Sequence, residues 1–288
     1  MPLPDLVLDW YRSQARDLPW RRPGTTPWGV LVSEFMLQQT PVARVEPIWI
    51  DWTARWPTPS AFAAASRADV LRAWGKLGYP RRALRLHAAA GVIAAEHGDT
   101  VPSEVDALEA LPGIGSYTAR AVVAFGYGRR APVVDTNVRR VVARAVHGAG
   151  DAGPARTKPD LADVDALLPA DDATAAEISA GLMELGAVVC TARAPRCGAC
   201  PVRAVCAWQA AGRPAYDGPR KAVQGFAGTD RQVRGKLLDV LRGAPDPVSR
   251  EALDATWSDA AQRDRCLHSL LVDGLAEQLD DGRFALPA

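Results

Sequence analysis

The stretch LEALPGIGSYTARAVVAF, residues 108–125, has the form helix, tight turn, helix. Its turn, Leu-Pro-Gly-Ile-Gly, puts Gly113 and Gly115 where the chain must reverse. Glycine takes φ > 0 there without steric cost. The second helix then starts near Ser116 with the unbonded amides of its first turn directed outward. Such amides, together with the helix dipole, hold a phosphate without reading base sequence. A turn of this kind also serves as a plain corner between packed helices, so the stretch alone leaves both readings open.

The next segment, APVVDTNVRRVVARAVHG (131–148), starts a further helix. Val138, Val141, Val142 and Ala145 recur at helical spacing on one face. Asp135 stands at the mouth of that helix, where aspartate is a good N-cap. A capping aspartate is also rigidly held, so a cap and a functional carboxylate are compatible.

Further on, Cys190, Cys197, Cys200 and Cys206 are spaced C-x6-C-x2-C-x5-C. Four thiols in so short a loop argue for a metal site over disulfides. Four thiolate ligands suit zinc or a [4Fe–4S] cluster, and one compact loop suits wrapping a cuboidal cluster. Cys266 reads as an ordinary buried cysteine. The four histidines, His87, His97, His147 and His268, show no metal-site spacing.

Upstream, WGVLVSEFMLQQT (28–40) reads as a helix with an acid on its apolar face. Glu34 has Val30, Leu31 and Leu37 as helical neighbours, with Gln38 one turn on. A solvated carboxylate ordinarily lies opposite such a stripe. With a reference pKa near 4.3, only about 0.2% of a glutamate is protonated at pH 7. An apolar setting that raised the value to roughly 6.5 would leave about a quarter protonated, which is useful for acid catalysis.

The rest of the chain frames these motifs. Its 288 residues with 48% hydrophobic content suffice for one large core or two domains. Residues 5–212 read as short amphipathic helices broken by Pro and Gly, so the fold class is mostly α. No run is apolar and long enough for a membrane span. The N-terminus lacks the features of a signal peptide, so a cytoplasmic, nucleoid-associated protein is expected. The net charge of +1 hides an asymmetry: residues 1–225 carry 26 basic against 22 acidic side chains, residues 226–288 carry 8 against 11. That distribution permits DNA binding without requiring it. Residues 213–230 read as a linker, and 231–288 as three helices and two short strands. This order suits either a small winged-helix module or a helical cap packed on the body.

Taken in order and spacing, hairpin, aspartate and cysteine loop resemble the endonuclease III, or helix–hairpin–helix, superfamily of DNA glycosylases over residues 5–212. The resemblance implies a two-lobed helical fold with one [4Fe–4S] cluster on Cys190, Cys197, Cys200 and Cys206. It implies a hairpin gripping the DNA backbone through Gly113, Gly115 and Ser116, and Asp135 as catalytic carboxylate. Within the superfamily, SEFMLQQT and RDLPWR (16–21) are similar to the adenine DNA glycosylases, which excise adenine mispaired with 8-oxoguanine or guanine. That resemblance makes Glu34 the general acid, lines the adenine pocket with Arg16, Trp20 and Arg21, and places Gln38, Gln39 and Thr40 toward the estranged base. It makes LGYP (77–80) a wedge, with Leu77 and Tyr79 entering the base stack; Pro80 stands where a second aromatic is commoner. Tyr117 occupies the place of the lysine of the bifunctional lyases, and a phenol forms no Schiff base, so a monofunctional enzyme is implied. Tyr117 and Asn137 would support Asp135.

Two departures stand out. Ala180 replaces a polar or acidic residue of some relatives, and residues 231–288 are too short for the Nudix-like domain that reads 8-oxoguanine in many. Arg193, Arg196 and Arg203 would face phosphate or form a solvated rim. The expected partner is duplex DNA with an adenine mispair, bound by a monomer. The alternatives are a thymine or uracil mismatch glycosylase on the same scaffold and, in a different class, a non-enzymatic iron–sulfur regulator using the tail as a winged helix.

Overall fold

The computed structural model describes residues 1–218 and 225–288. Part of the expected linker, 219–224, lies outside the described residues. Helices dominate the rest, as the Pro and Gly punctuation required. They are α1 (Leu3–Gln14), α2 (Pro27–Leu37), α3 (Val42–Arg55), α4 (Pro59–Ala63), α5 (Arg67–Trp74), α6 (Arg81–Glu96), α7 (Val105–Glu109), α8 (Ser116–Ala121), α9 (Thr136–Ala145), α10 (Thr157–Asp165), α11 (Asp172–Val188), α12 (Ala207–Ala210), α13 (Asp230–Gly243), α14 (Arg250–Asp254) and α15 (Ala260–Val272). Strands β1 (Glu277–Gln278) and β2 (Phe284–Ala285) pair antiparallel, and Val248 adds a bridge to Phe284.

Two compact units emerge, neither contiguous in sequence. The first comprises Met1–Leu31, Ser103–Ala110 and Ile114–Lys221. Its core joins Val7 of α1, Val138 and Val141 of α9, and Ile178, Leu182 and Leu185 of α11. Two glycines of α11 permit this approach. A Cβ at Gly181 would lie 2.8 Å from Val7 Cγ1, and one at Gly186 would lie 2.7 Å from Asn137 Cβ.

The second unit comprises Val32–Pro102, Leu111–Gly113 and Ala222–Ala288. Trp52 is its aromatic hub, with Trp56, Phe62 and Trp74 packed at centroid distances of 5.1–5.5 Å. Ser66 caps α5 by accepting from Asp69 N, and Gly75 ends it at φ 51°. The C-terminal helices and hairpin group here, not as a separate body after residue 212. Leu71 of α5 is part of their core, with Leu237, Leu241, Leu253, Leu267 and Phe284. Arg242 Nε donates to the Leu71 carbonyl at 3.0 Å, and Arg81 and Arg234 both pair with Asp273.

Candidate active site and cluster loop

Asp135 is the N-cap of α9. One carboxylate oxygen accepts from Asn137 N at 2.8 Å and Val138 N at 2.7 Å; the other accepts from the Asn137 side-chain amide at 2.7 Å. Arg140 in turn donates to Asn137 Oδ1 and to the Gly186 carbonyl, both at 2.7 Å. Burial pushes the Asp135 carboxyl above its ordinary value, and these donors with the Arg140 charge pull the other way. They favour the ionised form in a setting that otherwise opposes it. The Tyr117 hydroxyl approaches Met183 Sδ of α11 at 3.9 Å.

The hairpin corrects one expectation. Gly113 takes φ 77°, and a Cβ there would lie 2.7 Å from Arg85 Cβ, so glycine is needed twice over. Gly115 instead sits at φ −109° as the N-cap of α8. Its backbone is extended, and no side chain caps the helix it opens. Ser116 Oγ accepts from Arg120, which also pairs with Glu109 at 2.9 Å.

RDLPWR serves a partner that the sequence reading overlooked. Glu184 of α11 is fully buried, accepts from Arg16 at 2.6 and 2.8 Å, and accepts from Arg21 at 2.9 Å. Burial opposes its charge, but the Arg16 hydrogen bond and both guanidinium charges outweigh this and hold it below the usual carboxylate range. Trp20 is buried beside them in sequence. The signal was present: Glu184 has Ala180, Gly181, Ala187 and Val188 at helical spacing, the same misplaced acid as Glu34. Ala180 lacks a polar group, and the buried acid of this helix, Glu184, lies one turn later.

In the second unit Glu34 is 6% exposed. The helix around it is not amphipathic: residues 28–36 are buried without interruption. Glu34 is therefore not on a wrong face; that stretch has no solvated face. Beyond it, Gln38 is half-buried and Gln39 is exposed at φ 56°. Thr40 and Leu77, expected beside or within the base stack, are buried at 6% and 3%. Thr40 Oγ1 donates to the Leu77 carbonyl at 3.0 Å, so this pair is internal bracing. Tyr79 is 46% exposed, at φ 46°, and Pro80 is the N-cap of α6.

The four loop cysteines border one cavity in the first unit, with Arg144, Pro195 and Trp208. All are unbridged. Burial first, and then the other three thiols, push Cys200 up to about 11. Holding four thiolates here requires a cationic group to offset that cost. Among the described residues, no three His, Cys, Asp or Glu side chains converge closely enough for a single metal ion. Four thiols lining one cavity are a donor set that suits an iron–sulfur cluster. Arg144 braces the loop, donating to Cys190 Sγ at 3.4 Å and the Thr191 carbonyl at 2.8 Å. Arg193, Arg196 and Arg203 are all exposed, and Arg196 Nε donates to the Val188 carbonyl at 3.0 Å.

Comparison with known proteins follows the same division. Residues 32–164 match the HhH-GPD superfamily of base excision DNA repair proteins, and 190–206 match the iron–sulfur binding domain of endonuclease III. An adenine DNA glycosylase of Mycolicibacterium smegmatis is 67% identical over 97% of this chain and 94% of its own. One from Mycobacterium tuberculosis is 64% identical over 98% and 92%. The chain belongs to the adenine DNA glycosylases. It is a base excision repair hydrolase that cleaves N-glycosyl bonds and binds DNA, and its loop carries a [4Fe–4S] cluster. A thermostable thymine-DNA glycosylase shares the fold at TM-score 0.64 and 25% identity, covering 72% of this chain and 95% of its own. The alignment to the two mycobacterial relatives runs through the C-terminal module of this glycosylase. Among the described residues, no helix is long and apolar enough to cross a membrane.

Proposed function

We propose that this protein is a monofunctional glycosylase that removes adenine mispaired with 8-oxoguanine or guanine from duplex DNA, acting as a monomer and leaving an abasic site. The observation that carries the reading is a pair of carboxyl groups in opposed settings. Glu34 is buried in a helix that is apolar all round, and Asp135 is held by three donors that favour its ionised form.

Departure of adenine leaves positive charge on the sugar and negative charge on the purine. One protonated carboxyl and one carboxylate answer both, as in glycosidases with oxocarbenium-like transition states. Glu34 donates the proton to the adenine ring and afterwards orients the water; Asp135 stabilises the sugar cation. The target base must first leave the stack, at a cost of a few kcal/mol that is smaller for a mispair. Tyr79, exposed at its loop tip, fills the gap. Tyr117 offers no amine, so the strand is left uncut. The cluster supplies an anchor for the loop that presents Arg193 and Arg203; base hydrolysis transfers no electrons.

The test is a set of duplexes with adenine opposite 8-oxoguanine, adenine opposite guanine, and thymine opposite guanine. The expected product is an abasic site from the two adenine substrates alone. Release of thymine only would establish the thymine mismatch reading. Glu34→Gln is expected to bind the first duplex and release no base. A borohydride-trapped DNA adduct would show a lyase.

A further inference from the structure

The second unit holds two segments that reach solvent through residues in the left-handed backbone region. One is the end of α2, where Gln39 sits at φ 56°; the other is the loop before α6, where Tyr79 sits at φ 46°. Neither is glycine. Side chains adopt such backbone only where the surroundings over-determine it. Trp74 and Thr40 each brace one of these turns, and one residue, Arg82, bonds to both.

Arg82 lies in the first turn of α6 and is 7% exposed. Its Nη1 donates to the carbonyls of Phe35 at 2.6 Å and Met36 at 3.1 Å, at the C-terminal end of α2. Its Nη2 donates to Thr40 Oγ1 at 3.0 Å, to the Gly78 carbonyl at 3.0 Å and to the Leu77 carbonyl at 3.4 Å. Its guanidinium also lies 5.0 Å from the Trp74 ring centroid and 5.8 Å from that of Tyr79. One planar fork therefore ties residues on both sides of Gln39 to the residues immediately before Tyr79.

All five acceptors are neutral oxygens. A desolvated cation with such partners is a costly filler, and an apolar side chain of similar volume would pack the space at least as well. What the fork adds is fixed geometry between the two segments. We propose that Arg82 is a positioning residue that locks Gln39 and Tyr79 into one DNA-engaging arrangement, so that it acts on opening the duplex and not on the bond-breaking step. This rests on the function proposed above.

The experiment compares wild type, Arg82→Lys and Arg82→Met as full chains, with folding followed by circular dichroism and cluster content by visible absorbance. Lys keeps the charge without the fork, and Met keeps the packing without the charge. Each variant is given adenine opposite 8-oxoguanine in a fully paired duplex, and the same adenine inside an unpaired bubble. Duplex bending is measured in parallel by end-to-end energy transfer on a non-cleavable analogue. A displaced catalytic or positioning group costs on the order of 10²-fold in rate. The expected result is a loss of about that size on the paired duplex for both variants, loss of bending, and near-wild-type rates on the bubble. Equal losses on the two substrates, or a variant that bends and cleaves the paired duplex like wild type, overturns the proposal. If wild type releases no adenine from either substrate, the proposed function falls, while the bending measurement still decides the role of Arg82.

Discussion

Gly186 is the position at which a single methyl group should reach the chemistry from outside it. It lies on α11, where the chain packs against the start of α9. A Cβ there would lie 2.7 Å from both Cβ and O of Asn137 and 2.8 Å from its carbonyl carbon. Two of these three atoms are backbone, so no rotamer change relieves the clash. Carbon atoms settle near 3.5–4.0 Å apart, so Gly186→Ala must push the start of α9 away by roughly 1 Å. Asn137 supplies two of the three donors to Asp135, and Arg140 links Asn137 to the Gly186 carbonyl. The displacement therefore passes directly to the carboxylate. Overpacking costs about 1–3 kcal/mol, and better helix propensity returns up to about 1 kcal/mol. A misplacement of this size costs on the order of 10²-fold in rate. The expected result is a small loss in melting temperature with a large loss in single-turnover base release at saturating enzyme. Gly181→Ala is the control: the nearest atoms to its Cβ would be side-chain atoms of Val7 and Tyr11, so stability should fall while the rate holds. A Gly186→Ala protein with the wild-type rate would refute the coupling between α11 and Asp135.

Glu184→Gln leaves two guanidinium groups facing a neutral amide. Breaking a buried pair costs about 3–5 kcal/mol, and the outcome should lie at or below the lower end, because Arg16 is 39% exposed and can turn to water. Urea unfolding at neutral pH measures it. The same carboxylate sets a pH dependence. Its folded pKa is below the ordinary value, so its stabilisation is present above about pH 4.5 and is lost as pH falls through the folded value. Unfolding midpoints between about pH 5 and about pH 3 should fall more steeply in wild type than in Glu184→Gln; parallel curves would remove Glu184 from the acid response. Removing residues 230–288 strips the cover from Leu71, which is fully buried, and takes away Arg242 and Asp273. The truncated chain should melt earlier and bind a hydrophobic dye; an unchanged melting temperature would show that the module is an appendage.

Local pattern carried much of this protein. The hairpin, the Asp135 cap and the cysteine spacing each occupy one short window, where glycine conformation, capping and ligand geometry act between near neighbours. The family follows from their order, as the relatives aligned over nearly the whole chain bear out. Periodicity misled where burial was complete. It read α2 as two-faced, although residues 28–36 have no exposed face at all. The family resemblance set Thr40 and Leu77 toward the DNA; both are buried here, with Thr40 Oγ1 donating to the Leu77 carbonyl.

What the tertiary structure alone decided are the long-range pairings. Arg16 and Glu184 are 168 residues apart, Arg82 and Phe35 are 47, and Arg242 and Leu71 are 171. Nothing in the neighbourhood of either partner names the other, because a buried charge needs only some opposite charge or carbonyl within reach. Which one it meets is set by how the helices pack. The sequence by itself determined that a hairpin, a capped carboxylate and a cluster loop exist, since each is closed by contacts within a few residues. The packing decided that RDLPWR is anchored on Glu184, that the tail shares a core with α5, and that one arginine bonds to the turns at both Gln39 and Tyr79.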